Sequence, residues 1–151
     1  MLIRAKWTIP VVPSGVVLHD YAVAIKGKKI VAICSQEEAR ATVTATKDIE
    51  LPHHVLIPGL VNAHGHSPMT LFRGLADDIS LKQWLEELIW PLESKLVDRE
   101  FVYQGASLAI AEMITSGTTC FADMYFFPDE VAKVALDAHI RVQLASPILD
   151  F

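Results

Sequence analysis

Two histidines separated by one glycine, His64-Gly65-His66, are the residues of this chain whose types and spacing suit metal chemistry. On an extended strand, residues i and i+2 share a face and lie ~6.6 Å apart, at ~3.3 Å per residue. Two imidazoles placed in that way can converge on one divalent ion, which they hold at ~2.0–2.1 Å when the ion is zinc. Gly65 removes the intervening side chain and lets the backbone bend. The spacing alone leaves a second reading open, two unrelated histidines near a strand end, because such a triplet also arises by chance.

The elements around the pair must hold it in place. The run Val55-Leu56-Ile57-Pro58-Gly59-Leu60-Val61-Asn62-Ala63 is nearly all apolar and reads as a buried parallel strand, with the histidines at its C-terminal end. Ser80-Leu81-Lys82-Gln83 has capping-box spacing and opens a helix that Pro91 should stop or kink. Asp98 caps a long helix carrying Val102, Leu108, Ala109, Met113 and Ile114, closed by Gly117. Thr118 to Asp123 reads as a second strand, Asp129 to His139 as a helix, and Ile140 to Ala145 as a third strand. The order β-α-α-β-α-β calls for a parallel sheet with crossover helices. A closed eightfold barrel needs ~250 residues, so the stretch from Pro58 amounts to about three of its strands. The expectation is an α/β fold built as a partial (β/α)8 TIM-type barrel. The chain stops at Asp150-Phe151, directly after a strand, and so reads as the front portion of a larger protein.

Residues 1–57 read as a small β-rich module. Leu2 to Ile9 and Val16 to Ile25 are strands, and a turn at Lys26-Gly27-Lys28 leads into a third at Lys29 to Ile33. Gln36 to Arg40 is one helical turn, and Asp48 to Leu51 a further short strand. The neighbours His53 and His54 point to opposite sides of an extended chain, which suits a polar loop rather than one metal.

Composition narrows the function classes. Apolar residues are 52% and charged residues 21% of 151, which excludes a disordered chain. Thirteen basic against 18 acidic side chains leave a net charge of −5, which argues against nucleic acid or an anionic membrane as partner. Cys34 and Cys120 are too few and too far apart for a disulfide framework or a cysteine zinc site. No run approaches the ~18 apolar residues of a membrane span. Pro10, Pro13 and Asp20 interrupt any leader-like segment, so the expected compartment is the cytoplasm.

The stretch Ile57-Pro58-Gly59-Leu60-Val61-Asn62-Ala63-His64-Gly65-His66 resembles the opening of the metal-dependent amidohydrolase superfamily. The continuation from Ser67 through Arg73-Gly74 to Asp78, with Trp84-Leu85 and Trp90-Pro91-Leu92-Glu93, is similar to the 5-methylthioadenosine/S-adenosylhomocysteine deaminases and their chlorohydrolase and guanine-type deaminase relatives. The resemblance covers nearly the whole chain. It implies that residues 1–57 are the N-terminal part of a β-sandwich module and residues 58–151 the first part of the barrel. It implies His64 and His66 as the first two ligands of one divalent ion, zinc or alternatively Fe2+. It also implies Glu93 as a carboxylate that contacts ribose hydroxyls; a carboxylate accepts two hydrogen bonds and a cis-diol donates two. Without the resemblance, Glu93 reads as a solvated acid beyond the Pro91 break.

The implied chemistry is hydrolytic deamination of an adenosine-type nucleoside. A divalent ion lowers the pKa of a bound water towards ~7, and the hydroxide attacks a purine carbon bearing an exocyclic amine. The further ligands, the general acid/base and the groups that stabilise the intermediate are expected beyond Phe151, so no catalytic residue is assigned here and this segment alone should be inactive. The alternatives are a related guanine-type deaminase or chlorohydrolase, or a non-catalytic truncated module. The expected partner is a small nucleoside or purine-like molecule, with no nucleic acid or membrane, and a homo-oligomer at full length.

Smaller expectations attach to single residues. Asp123 shares a strand face with Phe121 and Thr119, and either orients a ligand imidazole or caps a loop. Trp84 and Trp90 are core residues unless their loop folds over the barrel mouth. Arg73 should pair with Asp77 or Asp78, and His139 sits at a helix C-terminus with no assigned role. Some relatives carry an arginine near the end of the third strand that meets an anionic substrate group. Here Leu144-Ala145-Ser146-Pro147 occupies that place and Arg141 lies at the strand's start, which weakens the case for carboxylate-bearing substrates such as S-adenosylhomocysteine.

Overall fold

Alternating β-rich segments and turn residues organise the first third of the chain. In the computed structural model, which describes residues 1–76 and 78–148, strand β1 (Leu2–Thr8) pairs antiparallel with β2 (Leu18–Lys26). Gly27, at φ +60°, turns β2 into β3 (Lys29–Ser35). The Ser35 hydroxyl then accepts the Glu38 N–H at 3.1 Å and caps helix α1 (Gln36–Thr42). Strand β4 (Asp48–Leu56) returns parallel to β1, giving the sheet order β3-β2-β1-β4. Leu2, Ala22, Ala24 and Ala39 are buried between sheet and helix. This is one mixed sheet; the described residues of the unit contain no second one.

The chain divides into two compact units, one ending at Pro58 and one beginning at Gly59. The division corrects the reading of the apolar run before the histidines. Val55 and Leu56 belong to β4, in register with Trp7 and Thr8 of β1, and only Leu60–Asn62 forms a strand (β5) in the second unit. Pro58 has no N–H to continue a ladder, so one long strand cannot pass through it. His53 and His54 lie within β4, both exposed, where its register with β1 slips between Ala5 and Trp7. The polar loop expected there is instead strand.

The second unit is a three-stranded parallel sheet in the order β5-β6-β7, with β6 at Thr118–Met124 and β7 at Arg141–Ala145. Crossover helices α4 (Arg99–Thr115) and α5 (Pro128–Asp137) pack on it. The Asp98 carboxylate accepts the Phe101 N–H at 2.8 Å at the start of α4, and Gly117, at φ +89°, follows its end. The core joins Val102, Ala106 and Ile110 of α4 to Phe121 of β6, Tyr125, and Val131 of α5. Burial on both faces, expected of the first strand, is not found in β5: Leu60 is 49% and Val61 67% exposed, and among the described strands β5 is an edge paired with β6 alone. Helix α5 ends two residues before His139, which adopts φ +55° beyond it.

Pro91 does not stop its helix. The Ser80 hydroxyl accepts the Gln83 N–H at 3.3 Å, and helical chain runs from α2 (Leu81–Gln83) through a π turn (Trp84–Ile89) into α3 (Trp90–Leu96). The Trp90 N–H reaches back five residues to the Leu85 carbonyl, so the widened turn precedes the ring and Pro91 falls in the first turn of α3. The missing N–H of Pro91 leaves one ladder position without a donor, and the widened turn directly before it is where the backbone takes up that irregularity. Among the described residues, no helix is long and apolar enough to cross a membrane.

Candidate metal centre and adjoining cleft

The backbone beyond β5 places the two histidines on a loop rather than in the strand. β5 ends at Asn62, whose Oδ1 accepts the His64 N–H at 3.3 Å. The Gly65 carbonyl accepts the Met124 N–H at 3.1 Å, tying the loop to the end of β6. His66 then leads into a 3-10 helix (Ser67–Phe72). This corrects the picture of a flat i, i+2 pair: the strand stops early because the chain must turn into the 3-10 helix. The bend that Gly65 permits still brings the rings together, edge to face at 82°, with centroids 5.1 Å apart.

One bond defines the chemistry of His66. Its Nδ1 lies 2.7 Å from the Met124 carbonyl oxygen. A carbonyl only accepts, so Nδ1 carries the proton and the Nε2 lone pair is left for a Lewis acid. Ligand histidines commonly have their other nitrogen tied in this way. Two imidazoles side by side, one with Nδ1 tied to a carbonyl, fit a divalent ion such as zinc as part of its donor set. They do not complete it, since a catalytic zinc takes about three protein ligands, and the described residues contain no cluster of three or more His, Cys, Asp or Glu arranged to hold a metal.

Asp123 acts as a clamp on the same loop. Its Oδ1 accepts from the Ser67 N–H at 2.6 Å and from the Ser67 hydroxyl at 2.8 Å. Of the two roles the sequence allowed, loop capping is the one its hydrogen bonds form. Burial pushes the Asp123 carboxyl upward from its ordinary value, against the opposing pull of the Ser67 bonds. Oδ2 is buried without a partner among the described residues. From the other side, Gly105 of α4 is packed so tightly on Pro68 that a Cβ there would overlap the Pro68 backbone.

A cleft of about 940 Å³ opens beside the loop, and it gathers residues far apart in sequence: His66, Trp84, Trp90, Glu93, Met124 and Phe127 all line it. Glu93 is half-buried and not the solvated acid its sequence position suggests. Its Oε1 accepts the Tyr125 hydroxyl at 2.7 Å. Tyr125 is 5% exposed, and burial first, then Glu93, push its phenol well above the ordinary value, so it stays a donor. Trp84 is half-buried and Trp90 53% exposed; both line the cleft and neither is a core residue. His64 is exposed and does not line it.

Other expectations are redirected. Arg73 pairs with Glu112 of α4, through bonds of 2.9 and 2.6 Å, because the 3-10 helix sets it against that helix. Asp77, one of its two expected partners, lies outside the described residues, as do Asp150 and Phe151. Sequence reasoning missed Tyr125 and the Met124 carbonyl. Tyr125 was findable, since it continues the alternation of buried Phe121 and Asp123 along β6. A backbone acceptor leaves no mark in sequence.

Comparison with known proteins follows this geometry. The model of the Amidohydrolase family matches residues 55–151. The chain is 45% identical over 151 residues, 100% of its length and 34% of the relative's, to the 5-methylthioadenosine/S-adenosylhomocysteine deaminase of Saccharophagus degradans. It is 41% identical over 150 residues, 99% of the chain and 34% of the relative, to the 5'-deoxyadenosine deaminase of Methanosarcina barkeri. Among solved structures it is similar to an adenosine deaminase from Xanthomonas campestris with bound zinc, at a TM-score of 0.90 and 45% identity, covering 93% of this chain and 32% of that one. The chain thus spans about a third of the length of the curated relatives it matches.

Proposed function

The chain belongs to the amidohydrolase family, and from that premise we propose that it carries part of the active site of a hydrolase that deaminates adenosine-type nucleosides. The observation that carries the reading is the cleft: His66, from the His-Gly-His loop, and Glu93, from the helix after Pro91, line one cavity although 27 positions separate them in the numbering. In this reading the unit from Gly59 is the opening of a (β/α)8 barrel and the unit up to Pro58 part of a β-sandwich module. The full-length protein is read as a cytoplasmic homo-oligomer.

His64 and His66 would hold the divalent ion, with zinc favoured over Fe2+ by the zinc-bound relative. When bound, such an ion supplies a water acidic enough to ionise near neutral pH. The chain's own residues prepare the site. The Met124 carbonyl holds the His66 proton on Nδ1 and keeps the ring turned. Glu93 offers a carboxylate to the donors of a ribose diol. Trp84, Trp90 and Phe127 present flat apolar surface, which suits a purine and displaces water from it. Two histidines are too few for a catalytic centre, so the remaining ligands and the general acid/base belong to residues this chain does not supply, and the segment alone is inactive.

The test is a substrate panel on the full-length protein: adenosine, 5'-deoxyadenosine, guanine and a chlorinated triazine, followed by ultraviolet absorbance and ammonia release. Turnover confined to the adenosine compounds, abolished by chelation and restored by zinc, is the expected result. Turnover of guanine or the triazine alone would move the assignment to another branch of the family. No turnover of any of them would refute it.

A further inference from the structure

Tyr125 is a buried side chain that hydrogen-bonds the Glu93 carboxylate, and no sequence motif assigned it a task. It follows the last residue of β6, stands 5% exposed in the core with Phe121 and Val131, and donates its hydroxyl to Glu93 Oε1 at 2.7 Å. Glu93 is half-buried in α3, after the π turn, and its second oxygen, Oε2, takes no hydrogen bond among the described residues. The carboxylate is therefore held at one oxygen and open at the other.

A glutamate has three side-chain torsions, and a diol is met well by one arrangement of its carboxylate only. Left alone on a cleft wall, Glu93 would sample many rotamers and lose that freedom on every binding event. Tyr125 has a rigid ring fixed by core packing, so its hydroxyl is a stationary anchor. A hydrogen bond from a neutral donor to a carboxylate is also stronger than a neutral pair. We propose that Tyr125 is the positioning residue for Glu93: it fixes the carboxylate in the orientation that accepts the two hydroxyls of a nucleoside ribose, and so sets the preference for ribosides over analogues without the diol. This rests on the deaminase reading and on the role of Glu93 within it.

The experiment uses the full-length protein and three variants, Tyr125→Phe, Glu93→Ala and the double variant. The probes are adenosine and 2',3'-dideoxyadenosine. Binding is followed by quenching of Trp84 and Trp90 fluorescence after the metal is removed, so that nothing turns over, and KM and kcat are measured on the metal-loaded protein. The wild type should bind adenosine more tightly than the dideoxy compound. Tyr125→Phe should weaken adenosine about tenfold, as loss of a bond to a charged group does, through KM with kcat little changed. It should leave the dideoxy compound alone and add nothing further in the Glu93→Ala background, where the hydroxyl has no side-chain acceptor left at position 93.

Equal weakening of both ligands, or a loss in the double variant beyond that of Glu93→Ala, would show a structural role and overturn the proposal. Unchanged adenosine binding in Tyr125→Phe would do so too. A wild type that binds nucleosides without preferring the diol would overturn the role of Glu93 and this inference with it, while leaving the deaminase reading standing. A wild type that binds neither probe would overturn all three. Should Tyr125→Phe fail to fold, the tyrosine can be kept and Glu93→Gln compared with Glu93→Ala. The glutamine retains an acceptor for the Tyr125 hydroxyl and should keep part of the diol preference; equal loss in both would count against the anchor.

Discussion

The Nδ1 nitrogen of His66 stands 2.7 Å from the main-chain oxygen of Met124, so the motif on one strand's loop is oriented by the backbone of the next strand. The bond is independent of the side chain at position 124. Nitrogen NMR of the full-length protein, with metal removed, should show His66 as the Nδ1–H tautomer; the Nε2–H form would contradict the geometry. His66→Ala should lower bound metal, measured by elemental analysis, far more than Met124→Ala does.

Gly105 lies where α4 presses on Pro68, one residue past Ser67 in the 3-10 helix. Alanine normally favours a helix by ~1 kcal/mol over glycine. Here Gly105→Ala should instead destabilise by ~1–3 kcal/mol, because the new methyl overlaps main-chain atoms that cannot turn aside. Denaturant unfolding of the full-length protein measures it. The same variant should loosen metal binding, since the displaced segment carries His66.

Arg99 bridges α4 to α5 through Asp129 and Glu130, and its guanidinium lies over the Phe127 ring at 5.3 Å. Arg99 holds the Asp129 carboxyl below its ordinary 3.8, and Lys133 together with Arg99 holds Glu130 below 4.5. The unfolded chain thus binds protons more readily, and the stabilisation is complete above pH 4.5 and lost as pH falls through the lowered values. The gap in thermal midpoint between wild type and Arg99→Met should be widest near neutrality and close on acidification. A gap that stays constant would rule the network out as its source.

The described residues lining the cleft include the Glu93 carboxylate and no lysine or arginine. An anionic 5' group would meet that carboxylate with no compensating cation from this part of the site. The full-length protein should therefore prefer adenosine or 5'-deoxyadenosine to adenosine 5'-monophosphate, with kcat/KM lower by about tenfold or more for the nucleotide. Comparable values would mean that a positive charge from outside these lining residues meets the phosphate.

Signals that act within a few residues were readable from sequence. Ser80 and Asp98 cap the helices they precede, and Gly117 sits past the end of α4, because a cap is a bond between neighbours three positions apart. The strand-helix alternation likewise required a parallel sheet, and the His-Gly-His triplet marked the loop that borders the cleft. Everything that depends on a partner distant in sequence was decided by the tertiary structure. Val55 and Leu56 left the expected strand for β4 because their ladder partners, Trp7 and Thr8, were already in place, and Pro58 had no N–H with which to continue onward. Arg73 met Glu112, Glu93 met Tyr125, and His66 met a carbonyl of Met124. Each of these contacts spans more than 30 positions, and none follows a repeat of 2 or 3.6 residues that local pattern could reveal. The composition of the cleft is a property of how the sheet and helices pack, and that packing brings chemistry from three separate segments to one wall.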